Sequence, residues 1–463
     1  MQTGLSVLRK NKEVVLLILF FTFVYSFVSI IRHNNFESFG FDLGIFDQEI
    51  WLLSRFKYPY STIKQMVIWG DHFSPSIVLL APLYYLFDVR GLLFFQSMIV
   101  CLGGVPIYLL SMKYLKDKFL CLAFCFCYLL YYGIQNAVIF DFHLIVVVAG
   151  LLPWLFWFAD SGKWRYYFEL MIILLLFKED VSLIIVSIGL ILLFNKKSRS
   201  AGLVTIIVSG IAFFVVTKVL IPFFNPGGFV YQPEFPSSVA DFIRQMTTPV
   251  VKLKTVFVSM LPFLFLPLFS GIYLIPILIH FGVHFIGENL VGRWDIYLHY
   301  RAPVACFVAI ASIYGLYNLS KVRKLSRKIL QLIGGLLVLA TLFTQYYYHL
   351  PLNSLFKKDF YRKRDNVEVI NEMIENIPSG ASVSTQNNII THLTHREKVC
   401  IFPNVCDAEY ILVDLSEGQT VNNYFNGVYH DLEEYRVMFD ELLEGDYEVA
   451  EKRGEVYLAR KKR

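Results

Sequence analysis

Apolar runs long enough to cross a bilayer recur along this chain as far as residue 349, and they constrain the fold more than any motif does. Seven separate stretches approach the roughly 17–25 apolar residues that span a membrane, and several shorter ones pair up. Of the 463 residues, 56% are hydrophobic, against roughly 45–50% in soluble domains, and the mean hydropathy is +0.54. Helices satisfy their own backbone in lipid, so a polytopic α-helical membrane protein is expected. The first run, Val14–Ile31, is too long for the apolar core of a signal peptide and has no small-residue cleavage site after it, so it is read as a retained helix.

Short basic loops set the expected orientation. "RKNKE" precedes the first run, and "KYLKDK" (113–118), "DSGKWR" (160–165), "NKKSR" (195–199) and "KVRKLSRK" (321–328) follow. With all of these in the cytoplasm, eleven spans alternate without conflict: 14–33, 91–112, 119–134, 143–159, 166–177, 181–194, 201–222, 255–270, 271–287, 303–319 and 329–349. The N-terminus is then inside and the C-terminus outside. Polar insertions 34–75, 135–142, 223–254 and 288–302 face outward, so function is expected there. "SPSIVLLAPLYYLF" (74–87) is too short for a span and suits an interfacial or re-entrant helix.

From about residue 350 the composition becomes that of a soluble α/β domain. "ASVSTQ", "KVCIFP" and "YILVDL" read as strands, "NNIITHLTH" and "DLEEYRVMFDELLEG" as helices, and "YEVAEKRGEVYLARK" as a hairpin. That alternation suggests a layered fold with a mainly parallel sheet. It carries no Gly-rich phosphate loop, and nothing points to nucleic acid. The expected domains are therefore 1–349, with its external loop 34–75, and 350–463. Five of the seven cysteines lie in spans, where Cys behaves as a small apolar residue. Cys400 and Cys406 could pair if their region is extracytoplasmic.

Ionisable groups at membrane depth are costly and are functional candidates by default. "SFGFDLGIFDQEIW" places Asp42 and Asp47 five residues apart. On one helix that is about 500° of rotation, so the two carboxylates face different ways unless the backbone breaks at Gly40 or Gly44. "WGDHFSPS" supplies Asp71 and His72, and "IFDFHL" supplies Asp141 and His143, each with an ordinary reading as a cap or loop residue. "FKED" sets Lys178, Glu179 and Asp180 between two short spans, where a self-neutralised turn is the plain alternative to a phosphate or metal site. "GENLVGRWDIYLHYRAP" brings Glu288, Arg293, Asp295, His299, Tyr300 and Arg301 to the outer ends of two spans. An Arg fork suits phosphate oxygens, although Arg301 could instead snorkel to the headgroups. His280 and His284 have an i, i+4 spacing that can bind metal, with no third ligand nearby in sequence.

Together "FDLGIFDQEIW", "GDHFSP" leading into "LLAPLYYLF", "FHL", "FKED", "HYRAP" and the C-terminal "SGASVSTQNNIITHLTHRE…IFP…AEYILVDL" resemble the DUF2079 family of bacterial membrane proteins. That family is similar to the GT-C superfamily of membrane glycosyltransferases. The resemblance implies a bacterial plasma-membrane enzyme that moves a sugar from a polyprenyl-phosphate donor to a lipid, glycan or protein acceptor. It implies Asp42 as general base, with Asp47 in reserve, and Lys178, Arg301 and Arg293 on the donor phosphate. Asp71, His72, Glu179, Asp180, His299 and Tyr300 would contact substrate, and Asp141 with His143 would assist or bind a divalent metal (Mg or Mn). The absence of an Asp-Glu or Asp-x-Asp pair in the first loop leaves metal dependence open. The rival readings are a lipid or glycolipid transporter or flippase, for which no inverted repeat is evident, and a non-catalytic lipid-binding protein.

Overall fold

The computed structural model describes residues 11–287, 292–425 and 427–462. The chain divides into two compact units, and the division is not a single cut along the sequence. One comprises Met1–Val28, Trp69–Ser76 and Leu93–Phe356; the other comprises Ser29–Ile68, Ile77–Leu92 and Lys357–Arg463.

The first unit is helical. Among the described residues of the chain, six helices are long and apolar enough to cross a membrane: Lys12–Asn34, Val89–Tyr114, Lys118–Phe140, Arg199–Phe224, His299–Arg323 and Arg327–Tyr347. Leu144–Asp160, Val181–Leu193 and Gly271–Phe285 are shorter and equally apolar. Ala302–Arg323 is the buried centre, packed against Gly104–Tyr114 and Leu144–Asp160. Arg199–Val215 and Arg327–Tyr347 bury only a narrow stripe and expose Leu203, Ile207, Leu332 and Leu339, as lipid-facing helices do.

Three expectations change in detail. The loop expected at 135–142 is helical as far as Phe140. Its polar residues are satisfied inside the bundle: Gln135 donates to the Leu130 carbonyl and to Gln345, and Asn136 donates to the Ile296 carbonyl. The span expected at 255–270 is a helix, Val251–Met260, followed by 3-10 turns at Leu261–Phe263 and Leu266–Phe269. Residues 75–85 form consecutive 3-10 turns around Pro82.

The second unit is built on a five-stranded sheet in the order Val399–Ile401, Val383–Thr385, Tyr410–Asp414, Val456–Lys461, Tyr447–Arg453. The first three strands are parallel, with Val383 opposite both Val399 and Tyr410. The terminal hairpin adds antiparallel, with Tyr410 opposite Arg460, so the sheet is mixed. Helix Leu432–Glu444 starts from a capping box between Asp431 and Glu434. It drives Tyr435 and Phe439 into a core of Phe402, Ile411, Val413, Leu415 and Ala459. Cys400 and Cys406 are disulfide-bonded, with Cα atoms 6.4 Å apart. "NNIITHLTH" makes only a single 3-10 turn, Ile390–His392.

Residues 34–68 of the first external loop belong to this second unit. Gly40 accounts for the fit: its N–H donates to Asn387 Oδ1 at 2.9 Å, and a Cβ there would stand 2.5 Å from Ile390 Cγ2. Downstream, the consecutive polar residues Asp47, Gln48 and Glu49 on helix Ile45–Ser54 are all fully buried. Gln48 accepts from Ser61 and from the Thr62 N–H, and it donates to the Arg396 carbonyl. Glu49 accepts the Ile68 N–H at 3.0 Å.

Candidate functional site

In the helical unit, "FKED" occupies the turn between helices Trp164–Leu175 and Val181–Leu193. Both helices are too short to carry the turn to the far side of a bilayer at about 1.5 Å per residue. Lys178 Nζ lies 3.6 Å from Asp180 Oδ2, and Glu179 Oε1 is bonded to His72 Nδ1 at 2.8 Å. The His72 ring stacks on Tyr231 at 4.6 Å, and the Tyr231 hydroxyl donates to Asp71 Oδ1 at 2.7 Å. Burial first, and then the Asp71 carboxylate, push the Tyr231 hydroxyl far above its ordinary pKa, so it stays a proton donor. The Arg293 guanidinium lies 5.1 Å from the centre of the Tyr231 ring and 5.7 Å from that of Tyr300, with Lys178 Nζ over Tyr300 at 5.9 Å.

These groups border one cavity of about 310 Å³. His72, Lys178, Glu179, Asp180, His284 and Arg293 supply its polar wall; Leu183, Phe213, Phe229, Phe235, Val283 and Ile286 supply the apolar remainder. Five sequence-predicted site residues, His72, Lys178, Glu179, Asp180 and Arg293, therefore meet here, although up to about 220 residues separate them in the chain. Asp71 and Tyr300 stand behind them as partners of Tyr231 and of the two cations. Tyr231 was missed by the sequence reading. Its one signal is the Pro-, Gly- and aromatic-rich run "NPGGFVYQPEFP", which carries more aromatics than a plain connection needs.

Arg301 does not line this cavity. It is fully buried with its guanidinium over Phe281 and Phe285, and Nη2 donates to the Arg293 carbonyl. Its Nε and Nη1 have no hydrogen-bond partner among the described residues. Asp295 folds the preceding turn by accepting the Ile296 N–H. Lys252, another residue absent from the sequence reading, is buried and donates to the Gln245 and Phe285 carbonyls. Glu288 lies outside the described residues.

Asp141 ends helix Tyr132–Phe140, and Gln96 spans it: Nε2 donates to the Asp141 carbonyl, and Oε1 accepts the His143 N–H at 2.7 Å. The His143 ring stacks on His299 at 3.7 Å, and His299 lies 4.2 Å from the Tyr300 ring at a tilt of 42°. His280 and His284 stack at 4.3 Å, but His284 Nδ1 is engaged by the His280 carbonyl. That leaves one imidazole nitrogen of His284 for any other role.

In the second unit, Asp42 and Asp47 do not share a helix. Asp42 sits in a π-turn, Gly40–Gly44, at φ +85° and ψ −88°. A non-glycine residue there is strained by about 1–3 kcal/mol, and such positions persist only where surrounding structure holds them. Asp47 lies one turn into the following helix, fully buried. It accepts hydrogen bonds from the Tyr84 and Thr394 hydroxyls and faces His395 Nε2 at 3.4 Å. Burial works against charging His395, yet the Asp47 carboxylate outweighs it and raises the imidazole above its ordinary pKa.

The architecture is similar in fold to two solved structures. ArnT from Cupriavidus metallidurans bound to undecaprenyl phosphate superposes with a TM-score of 0.57 at 11% identity, over 97% of this chain and 98% of that one. The apo state of the same protein gives 0.56 at 12% identity, over 96% and 97%. Residues 32–458 match the family described as "Predicted membrane protein (DUF2079)", and the chain belongs to it. It is a multi-pass membrane protein. No curated protein matches it in sequence.

Proposed function

We propose that this protein is a GT-C-type glycosyltransferase that moves a sugar from a polyprenyl-phosphate donor to an acceptor on the extracytoplasmic side of the bacterial plasma membrane. The observation that carries the reading is the amphipathic cavity of the helical unit. Its apolar wall suits a prenyl chain, while Lys178 and Arg293 offer a phosphate two cations in a water-poor setting. The relative's bound undecaprenyl phosphate supports the same ligand class.

In the proposed reaction Asp42 takes the proton of the acceptor hydroxyl, whose oxygen attacks the anomeric carbon. The bond from that carbon to the phosphate oxygen breaks, and the electron pair leaves with the lipid phosphate. Lys178 and Arg293 balance the charge that develops there, with Arg301 supporting Arg293 through its main-chain carbonyl. His72, held by Glu179 and Tyr231, and Asp180, paired with Lys178, orient the headgroup. Asp42 is preferred to Asp47 as base because Asp47 already serves three donors, whereas strain marks Asp42. Asp141 and His143 are the residues for a divalent metal. They would hold it through one carboxylate and one imidazole, and an imidazole ligand suits Mn²⁺ better than Mg²⁺.

The test is transfer from a panel of radiolabelled polyprenyl-phosphate sugars by purified protein. Lys178→Met and Arg293→Met should each lower turnover about 10²–10³-fold, the usual loss for a transition-state charge partner. Failure of the wild type across the panel, or full activity in Asp42→Asn, sinks the mechanism. Movement of lipid between leaflets without sugar transfer establishes the transporter instead.

A further inference from the structure

The helical unit has a second cavity, of about 430 Å³, that the proposed transfer does not use. It is lined by Tyr114, Asp160, Trp164, Ile188, Asn195, Lys197 and Tyr314, among others. Helix Val181–Leu193 begins at Asp180 beside the first cavity and ends at the second. Its 13 residues put the two about 20 Å apart along the bundle at about 1.5 Å per residue.

This end of the unit carries the basic loops. Segments 113–118, 160–165, 195–199 and 321–328 hold thirteen Lys and Arg against two Asp. Asp160 does not offset the excess inside the cavity, because its carboxylate is already committed. Oδ2 pairs with Lys113 at 2.6 Å, and Oδ1 accepts the Tyr314 hydroxyl at 2.8 Å and the Tyr114 hydroxyl. Lys197 at the rim is exposed and has no carboxylate within ion-pair distance among the described residues. Tyr273 stacks on Tyr314 at 3.6 Å to make an aromatic wall, and Phe156, Ile188 and Ile191 make an aliphatic one. The cavity is therefore apolar along its walls and cationic at its rim, among the apolar helices of the unit.

We propose that this second cavity binds an anionic phospholipid, with the phosphate at Lys197 and Asn195 and an acyl chain along Phe156, Ile188 and Ile191. Basic pockets between membrane helices take acidic headgroups in this way. A cationic ligand is disfavoured because the single carboxylate in the lining is saturated. A free inorganic anion would leave the apolar walls without an occupant.

Native mass spectrometry of the purified full-length protein tests this, with dioleoylphosphatidylglycerol and dioleoylphosphatidylcholine as competing probes. The wild type should retain one phosphatidylglycerol in preference to phosphatidylcholine. Lys197→Glu should weaken that adduct about ten-fold or more, given the usual contribution of one lysine near an acidic headgroup. Lys328→Glu reverses a charge at the same end without touching the cavity and should leave it intact. Ile188→Trp should displace the lipid by filling the apolar wall; if that variant fails to fold, the two lysine variants still decide. Equal retention of both lipids, or equal losses in Lys197→Glu and Lys328→Glu, overturns the proposal, the latter by showing diffuse attraction.

Discussion

Asp47→Ala separates the two aspartates of the first external loop. The substitution removes the acceptor shared by the Tyr84 and Thr394 hydroxyls, which are 7% and 1% exposed. Each buried donor left without a partner costs about 1–3 kcal/mol, so the pair costs about 2–6 kcal/mol. His395 is half-exposed and finds water, so it adds little. For a unit of roughly 160 residues, a central value of about 4 kcal/mol lowers the unfolding temperature by about 8–16 °C. Scanning calorimetry in detergent measures the shift, and hydrogen exchange should rise in peptides covering 45–54 and 394–397. Tyr84→Phe with Asp47 intact should cost less, because Asp47 Oδ1 keeps His395 Nε2 at 3.4 Å. The reasoning fails if Asp47→Ala abolishes sugar transfer while the unfolding temperature and exchange stay at wild-type values. Asp47 would then be the chemical group and Asp42 the structural one.

Two further outcomes follow from the same structure. In Gly133→Ala the new Cβ would stand 2.4 Å from the Arg301 carbonyl oxygen. The backbone at Arg301 must move, costing about 1–3 kcal/mol as overpacking does, and donor affinity should fall while Gly210→Ala, with open space around it, leaves both unchanged. Two histidines of the second unit give opposite pH limbs. His395 is raised by Asp47, so its contribution is full below about pH 6.5 and lost as pH rises through its folded pKa. His392 is lowered to about 4, chiefly by burial, so its contribution holds above about pH 6.5 and drains as pH falls toward 4. Unfolding temperatures of His395→Gln and His392→Gln across pH 4–9 should each flatten one limb; a limb that persists in its variant refutes the assignment.

Hydropathy made the helices legible, because lipid rewards long apolar runs and the basic loops punctuate them. It misjudged residues 135–140, where Gln135 and Asn136 read as a loop; their partners Gln345 and Ile296 are at least 160 residues away. It likewise read "NNIITHLTH" as a helix. Asn387 instead accepts the Gly40 and Phe41 N–H groups, and Asn388 donates to the Phe36 carbonyl, which competes with helix propagation. For the site, local charge patterns found Lys178, Glu179, Asp180 and His72. Pairing was not legible: no spacing rule could join His72 to Glu179, or move Arg301 out of the cavity that Arg293 lines. Asp47 read as a functional candidate because a carboxylate at membrane depth is costly. It is buried with Gln48 because both find partners in distant segments of the second unit.

The bond from Gly40 to Asn387 joins residues 347 positions apart, which gives the protein a built-in delay. At about 5–20 residues per second, the first external loop waits on the order of 20–70 s after its own synthesis before the segment that holds it exists. Through that interval the Gly40 and Phe41 N–H groups lack the Asn387 oxygen that receives them, and Asp47 lacks Thr394. A chain stalled before residue 387 would therefore carry its aspartates on an unfolded, protease-accessible loop. The nascent protein would acquire its proposed base only in the last stage of its manufacture.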